Sequence, residues 1–329
     1  MLLLAPALVL AAYVFAAVVP LLPHTYLYDN GMHLALGRAL YHGRVDIEYF
    51  GIDTATGPDG RFYSPRAPAI GALVALGITI TDNEDTARRA VPALACFALI
   101  IVLWLSAGVG LAAAALLALA PPLVYYVHGL SEVYLSAALI LLAATCRSER
   151  VAGLAAGFIA FADYRLVPMT LLAFTSRAMI LPALVGWGVL GLYHTMAFGA
   201  PWRLAQHYVT AFPWSNNLVG MYGWWPPWRG AGDIFLGVKI DEWMRNQVEE
   251  PAYGMLIVAP WLVLAPLGWI RVRSRRLALA LGLSIAVAAL TCTHRTGLPR
   301  YLAPLVPLWM APILMSVWQR TPTSRIDET

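Results

Sequence analysis

An all-α polytopic membrane protein with about ten transmembrane helices is the fold class the sequence predicts, on three observations. The 329 residues are 60% hydrophobic and only 12% charged, with a mean hydropathy of +0.67. A soluble chain of that length would need far more charge to cover its surface. The apolar residues come in continuous runs, several of them near the roughly twenty residues that cross a bilayer as a helix, whereas a transmembrane β-barrel would show short alternating segments. Between the runs stand clusters of arginine, the usual mark of cytoplasmic loops.

Residues 2–22 form the first run. No basic stretch precedes it and no small-residue cleavage site follows, so it reads as a retained first span that doubles as the insertion signal. A polar loop then extends to residue 88. Inside it, residues 29–43 carry a short amphipathic helical pattern and residues 59–68 a Pro-rich return to the membrane. Residues 68–80 are apolar but barely a dozen long, a length that suits a helix lying at the interface better than a span. The further candidate spans are 89–107, 111–126, 134–145, 151–162, 166–174, 180–197, 255–270, 277–292 and 301–318. The whole chain, 1–329, is therefore expected to be one integral membrane domain. Its parts are a first extracytoplasmic loop (23–88) with interfacial helices, a Trp-rich extracytoplasmic segment (200–254) and a cytoplasmic tail (319–329).

Orientation follows from the arginines. Arg147 and Arg150 form one cluster, Arg271, Arg273, Arg275 and Arg276 another, and Arg320 and Arg325 lie in the tail. The positive-inside rule assigns all three to the cytoplasm. Both termini are then cytoplasmic, while loop 23–88, the turn around Glu132, segment 201–254 and turn 294–300 face out. This scheme requires that 68–80 not cross; if it crossed, Asp29 and Glu132 would face opposite sides. The formal charge of +4, carried by arginine and the single Lys239, thus speaks to topology. No basic patch interleaves with a soluble domain, so nucleic-acid binding is not expected. Cys96, Cys146 and Cys292 are scattered in or beside apolar runs, with neither metal-ligand spacing nor a disulfide framework; they read as small buried side chains.

Half of the twelve tryptophans (Trp202, Trp214, Trp224, Trp225, Trp228 and Trp243) fall in residues 202–253. An aromatic belt at the headgroups explains them most simply. Trp224-Trp-Pro-Pro-Trp228 is denser than a belt requires, and stacked aromatics also make platforms for sugar rings.

Carboxylates at a membrane face are costly, which makes each a functional candidate. Asp29 follows the first span. Glu132 sits in His128-Gly-Leu-Ser-Glu132 at the start of the fourth. Arg300 opens the last span in Leu298-Pro-Arg-Tyr-Leu-Ala-Pro304, with His294 and Arg295 close by. Two carboxylates and a cation suit transfer from a phosphate-linked donor. One carboxylate can take the proton of an attacking hydroxyl, and the arginine can hold the departing phosphate. Each also has a plain structural reading: Asp29 as the cap of a helix starting near Asn30, Glu132 as a favourable charge at a helix start, Arg300 as a snorkelling side chain. Their joint appearance on one face favours function.

In these features the sequence resembles the multi-spanning GT-C glycosyltransferases that use polyprenyl-phosphate-linked sugars, among them the protein O-mannosyltransferases and the lipid A aminoarabinose transferase. The match runs from residue 2 to about 312. The acidic motif and following helix correspond to Asp29 through Gly43. The Tyr-Ser-Lys-Pro-Pro-Gly-like return corresponds to Tyr63-Ser-Pro-Arg-Ala-Pro68, with Arg66 at its centre. The second acid corresponds to Glu132, the late Arg-Tyr with spaced prolines to Arg300-Tyr-Leu-Ala-Pro-Leu-Val-Pro307, and a Phe-Gly-Ser-Pro turn to Phe198-Gly-Ala-Pro-Trp202. Asn30 stands where many members have a second acid, and Glu132 where Asp is commoner.

What the resemblance implies is a GT-C-like bundle in the bacterial inner (plasma) membrane, with its active site facing the periplasm or exterior. It implies an inverting transfer of a sugar from a polyprenyl-phosphate donor to an extracytoplasmic glycan, lipid or protein hydroxyl. Asp29 would be the general base, Glu132 would position acceptor or base, and Arg300 with Arg295 would bind the leaving phosphate. His33, Tyr63, Arg66, His128, Asp163, Arg165, Trp224, Trp225, His294 and Tyr301 are the candidate pocket. Asp163 and Arg165 either pair with each other or line the donor site. No cofactor is implied. Asp29 with His33, and His128 with Glu132, stand four apart on presumed helices and are types that bind divalent metals, but such pairs commonly just hydrogen-bond. A transporter or flippase of lipid-linked sugars would need charges at mid-membrane depth, which the apolar runs almost lack; a non-catalytic relative is the other alternative.

Overall fold

The computed structural model describes residues 28–51, 54–127, 129–209, 226–237, 254–293 and 301–318. The side chains of Tyr28, Asp29, Gln206, Val317 and Trp318 lie outside that description. The described chain is a helical bundle. Its strand content is one hairpin of β1 (Ala55–Thr56) and β2 (Phe62–Tyr63), antiparallel with Ala55 opposite Tyr63. The helices are α1 (Tyr28–Tyr41), α2 (Ala69–Thr81), α3 (Glu84–Ile101), α4 (Leu111–Ala118), α5 (Val133–Thr145), α6 (Glu149–Ala162) and α7 (Arg177–Phe198). Short helices α8 (Pro227–Ala231), α9 (Met255–Val258) and α10 (Ala265–Trp269) precede the longer α11 (Arg275–Cys292) and α12 (Val306–Trp318).

Among the described residues three helical stretches are long and apolar enough to cross a membrane. They are Glu84–Ser106, where α3 continues as a π-helical turn, Arg177–Phe198 and Arg275–Cys292. Several expected spans take a different form. Residues 111–126 do not make one helix: α4 is only eight residues, and Pro121 and Pro122 separate it from a 3₁₀ turn at Leu123–Tyr126. A proline removes a backbone donor and its ring clashes with the preceding turn. Residues 166–174 lie in a 3₁₀ segment, Tyr164–Thr175, and 255–270 breaks into α9, a 3₁₀ turn and α10 around Pro260 and Pro266. The outward faces are nonetheless apolar: Leu116, Leu181 and Ile270 are each more than 70% exposed, as side chains are that have lipid for a neighbour.

Small residues let the helices meet closely. A Cβ added at Gly153 would lie 2.3 Å from the Met179 carbonyl oxygen, and one at Gly157 2.2 Å from that of Ala183. Gly153-x-x-x-Gly157 therefore lies flat on α7, the small-residue packing expected where apolar burial gives helices no reason to associate. Several polar groups in the interior are hydrogen-bonded: Tyr134 donates to the carbonyls of Ala118 and Leu123, Trp309 to Ser284 Oγ, and Trp269 to the Trp309 carbonyl.

Contacts sort the bundle into two ends. Ser106 bonds Thr145 at 2.8 Å, Arg276 donates to the carbonyls of Ala144 and Cys146 at the end of α5, and Ser176 donates to Glu149. At the other end Arg165 meets Glu132 and Tyr301. Helices α3 and α5 therefore run parallel. Helix α2 packs on α1, where a Cβ at Gly71 would strike Leu36 and one at Gly37 would strike Val74, and on the first turns of α3 through Ile78, Ala87 and Val91.

Candidate functional site

Glu132 shows how the second end is built. It occupies the N-cap position of α5, but its side chain makes no capping bond and its backbone is αR. The carboxylate turns away from the helix instead. Oε1 accepts from Arg165 Nη2, and Oε2 lies 3.5 Å from His33 Nε2. Both ends of this chain of contacts are enclosed: Glu132 is 7% exposed and His33 1%.

Arg165 is placed by its neighbour two residues earlier. Asp163 ends α6 and caps the following 3₁₀ segment by accepting the Arg165 backbone N–H at 3.0 Å. That turn aims the guanidinium back, so that Nε donates to Asp163 Oδ1 at 2.9 Å and Nη2 to Oδ2 at 2.8 Å. Asp163 and Arg165 thus pair with each other, and the same Nη2 also reaches Glu132. Two described carboxylates thus share one guanidinium. On its other side Arg165 lies over the Tyr301 ring, 4.2 Å from its centroid, a cation–π arrangement that favours a desolvated cation. Just beyond α6, burial raises the Asp163 carboxyl above its ordinary value despite Arg165, because removing water disfavours the ionised form.

The loop after α1 closes over this end. Tyr63 packs its ring on Phe198 of α7 and joins Met32, Leu36, Ile47, Ala197 and Val209 in one apolar cluster. Its phenol donates to Asp59 at 2.8 Å, and burial with that carboxylate pushes its pKa up to about 12. Arg66 is half-buried, and Ala67 beside it packs on Tyr164. The segment Tyr63-Ser-Pro-Arg-Ala-Pro68 consequently lies next to the Asp163–Arg165 turn.

Two residues that sequence reasoning passed over belong to the same surroundings. His194 lies inside the apolar run of α7, 2% exposed. Its Nδ1 bonds the Pro201 carbonyl at 3.2 Å, so Nδ1 carries the proton, and Nε2 accepts from Tyr164 at 3.0 Å. A lone histidine in a spanning run was the available signal, through its cost in lipid.

The structure therefore brings together His33, Glu132, Asp163, Arg165 and Tyr301, with Tyr63 and Arg66 alongside. Asp29 stands inside α1, one helical turn before His33, so it does not precede the helix as a cap would; its side chain lies outside the description. His128, Trp224, Trp225, His294, Arg295 and Arg300 lie outside the described residues. Trp228 lies in the first turn of α8 and is exposed. Among the described residues no group of three or more His, Cys, Asp or Glu could hold a metal ion. The pairing that forms joins His33 to Glu132, across two of the sequence pairs first considered.

No protein-family model and no curated protein matches the chain. Among solved structures it is similar to the crystal structure of ArnT from Cupriavidus metallidurans bound to undecaprenyl phosphate. The TM-score is 0.55 at 16% sequence identity, over 95% of this chain and 59% of that one. At that identity the likeness is one of fold, a GT-C-like helical membrane fold.

Proposed function

We propose that this protein is a GT-C-type glycosyltransferase of the bacterial inner membrane. It takes a sugar from a polyprenyl-phosphate donor and passes it to an extracytoplasmic hydroxyl. The observation that carries the reading is Glu132: a buried carboxylate, held between His33 on α1 and Arg165, at the end of the bundle where α1 also presents Asp29. The likeness to a fold solved with undecaprenyl phosphate supports the donor class. This chain spans 59% of ArnT's length, so its acceptor is its own question.

The chemistry is a single displacement. The acceptor hydroxyl attacks the anomeric carbon on the face opposite the phosphate, Asp29 takes its proton, and the bond from that carbon to the phosphate oxygen breaks. The bonding electrons leave with the polyprenyl phosphate, and the anomeric configuration inverts. Arg300 and Arg295 would meet the departing charge, where donors placed in advance act most strongly. Glu132 orients the acceptor, and Arg165 holds Glu132 in place. The grouping of polar side chains at one end, rather than at mid-depth along the spans, favours a transferase over a transporter.

The test is transfer by Asp29→Asn and Glu132→Gln in membranes, with insertion verified for each. Both lose the activity of the wild type; full transfer by both variants removes the mechanism.

A further inference from the structure

At the opposite end of the bundle lies a cleft of about 470 Å³, lined by Arg147, Glu149, Ser176, Ser274, Arg275 and Arg276 together with the apolar Met179 and Leu279. Three helices begin there. Ser148 caps α6, Ser176 caps α7 and Ser274 caps α11, each accepting a backbone N–H. Their dipoles add positive potential to that of the arginines.

The side chains divide by what they already hold. Arg276 is spent on the carbonyls of Ala144 and Cys146, and Glu149 accepts from Ser176. Arg147 and Arg275 are exposed and form no ion pair among the described residues. Topology alone asks only for positive charge somewhere in these loops, and Arg150 and Arg273 supply that away from the cleft. It does not ask for two guanidiniums facing one concavity. A charged cleft bordered by apolar side chains matches a phosphodiester joined to acyl chains, and the exposed Leu279 on α11 and Leu181 on α7 add apolar surface to the two helices that begin there. Basic pockets between membrane helices on the cytoplasmic side bind such headgroups.

We propose that this cleft binds a phosphodiester or phosphate anion, with Arg147 and Arg275 as its two cationic partners. It stands apart from the transfer site and does not depend on the proposed reaction. A membrane phospholipid headgroup and a soluble phosphate offer the same chemistry, and the experiment separates them.

The full chain is purified in detergent and titrated with phosphatidylglycerol, phosphatidylcholine or inorganic phosphate, with binding counted by native mass spectrometry. Phosphatidylglycerol binding should weaken roughly thirtyfold in Arg147→Gln/Arg275→Gln. It should change by no more than about threefold in Arg150→Gln/Arg273→Gln, which removes equal charge from the same two loops. Glu149→Gln, which removes the cleft's carboxylate and preserves an acceptor for Ser176, should bind more tightly, and it keeps the test open if the double variant fails to fold. Phosphatidylglycerol that binds with this dependence, and phosphate that does not, assigns a lipid. Phosphate alone binding with the same dependence assigns a soluble anion. Equal losses in both double variants, no loss in either, or phosphatidylcholine binding as tightly as phosphatidylglycerol overturns the site.

Discussion

Replacing Arg165 with methionine probes the acidic cluster most sharply. The side chain makes three charge-assisted contacts, two with Asp163 and one with Glu132, and the two carboxylates it serves are 3% and 7% exposed. Removing one partner of a buried ion pair costs about 3–5 kcal/mol. The loss has a ceiling, because a stranded carboxylate can protonate instead. From an ordinary value near 4, neutralising one at pH 7 costs about 4 kcal/mol. For 329 residues at ~2.1 cal/mol/K each, the unfolding entropy is about 0.7 kcal/mol/K, so the melting point should fall by about 4–6 °C. The sign of the pH dependence is fixed. In this variant the folded-state carboxyls have raised pKa values, so the defect is fully present above those values and shrinks as pH falls toward the unfolded range near 4. Thermal challenge of the detergent-solubilised protein, read by size-exclusion chromatography, measures it. Adding Glu132→Gln and Asp163→Asn should restore most of the loss, because no charge is then left stranded. A melting point within a degree of wild type at pH 7.5 would refute the buried cluster.

Three further outcomes can be checked with the same preparation. Gly157→Leu should sharply reduce the yield of folded protein, since even its Cβ would sit 2.2 Å from the Ala183 carbonyl oxygen, whereas Gly188→Ala, with nothing within 4 Å, should match wild type. Overpacking usually costs about 1–3 kcal/mol and backbone collisions are hard to relieve. Tyr301→Ala should lower the melting point by about 1–2 °C more than Tyr301→Phe, as loss of a ring beneath Arg165 predicts at ~1 kcal/mol. In the first loop, Arg44 hydrogen-bonds Asp46 and holds its carboxyl below the usual value. That contribution is present above the unfolded carboxylate pKa and is lost as pH falls through the lower folded one. Hydrogen exchange in residues 44–63 should therefore be unchanged between pH 5 and 8 after normalising for intrinsic rates, and Asp46→Asn should speed it only modestly, as suits a largely surface pair.

Much of the architecture was legible in hydropathy and charge. A run such as that of α7 needs lipid or a core around it, and its polar flanks fix its ends. The prolines at 121, 122 and 260 are equally visible in the sequence, but hydropathy averages over them and so does not show where they end the helices. Glu132 was found through its cost. Its partners were not, since His33 lies 99 positions earlier and Arg165 33 later, and only packing brings them together. The Asp163–Arg165 spacing suggested a local pair but could not show that one nitrogen would serve two acids. His194 was missed because its two bonds run to a tyrosine and a carbonyl, neither of which a sequence marks as a partner. The Gly153-x-x-x-Gly157 face was in plain view as a motif, but which helix it touches is a property of the folded bundle.

In the proposed function, the end of the bundle holding Glu132 and α1 takes a polyprenyl-phosphate sugar. Mass spectrometry of lipid extracted from purified Glu132→Gln protein tests it most directly, because a variant that binds donor but cannot turn it over should accumulate it. The lipid expected is a polyprenyl phosphate carrying a hexose or pentose, bound in near-stoichiometric amount and depleted from wild-type protein supplied with acceptor. Protein from donor-replete membranes that carries no such lipid, in either form, would contradict it.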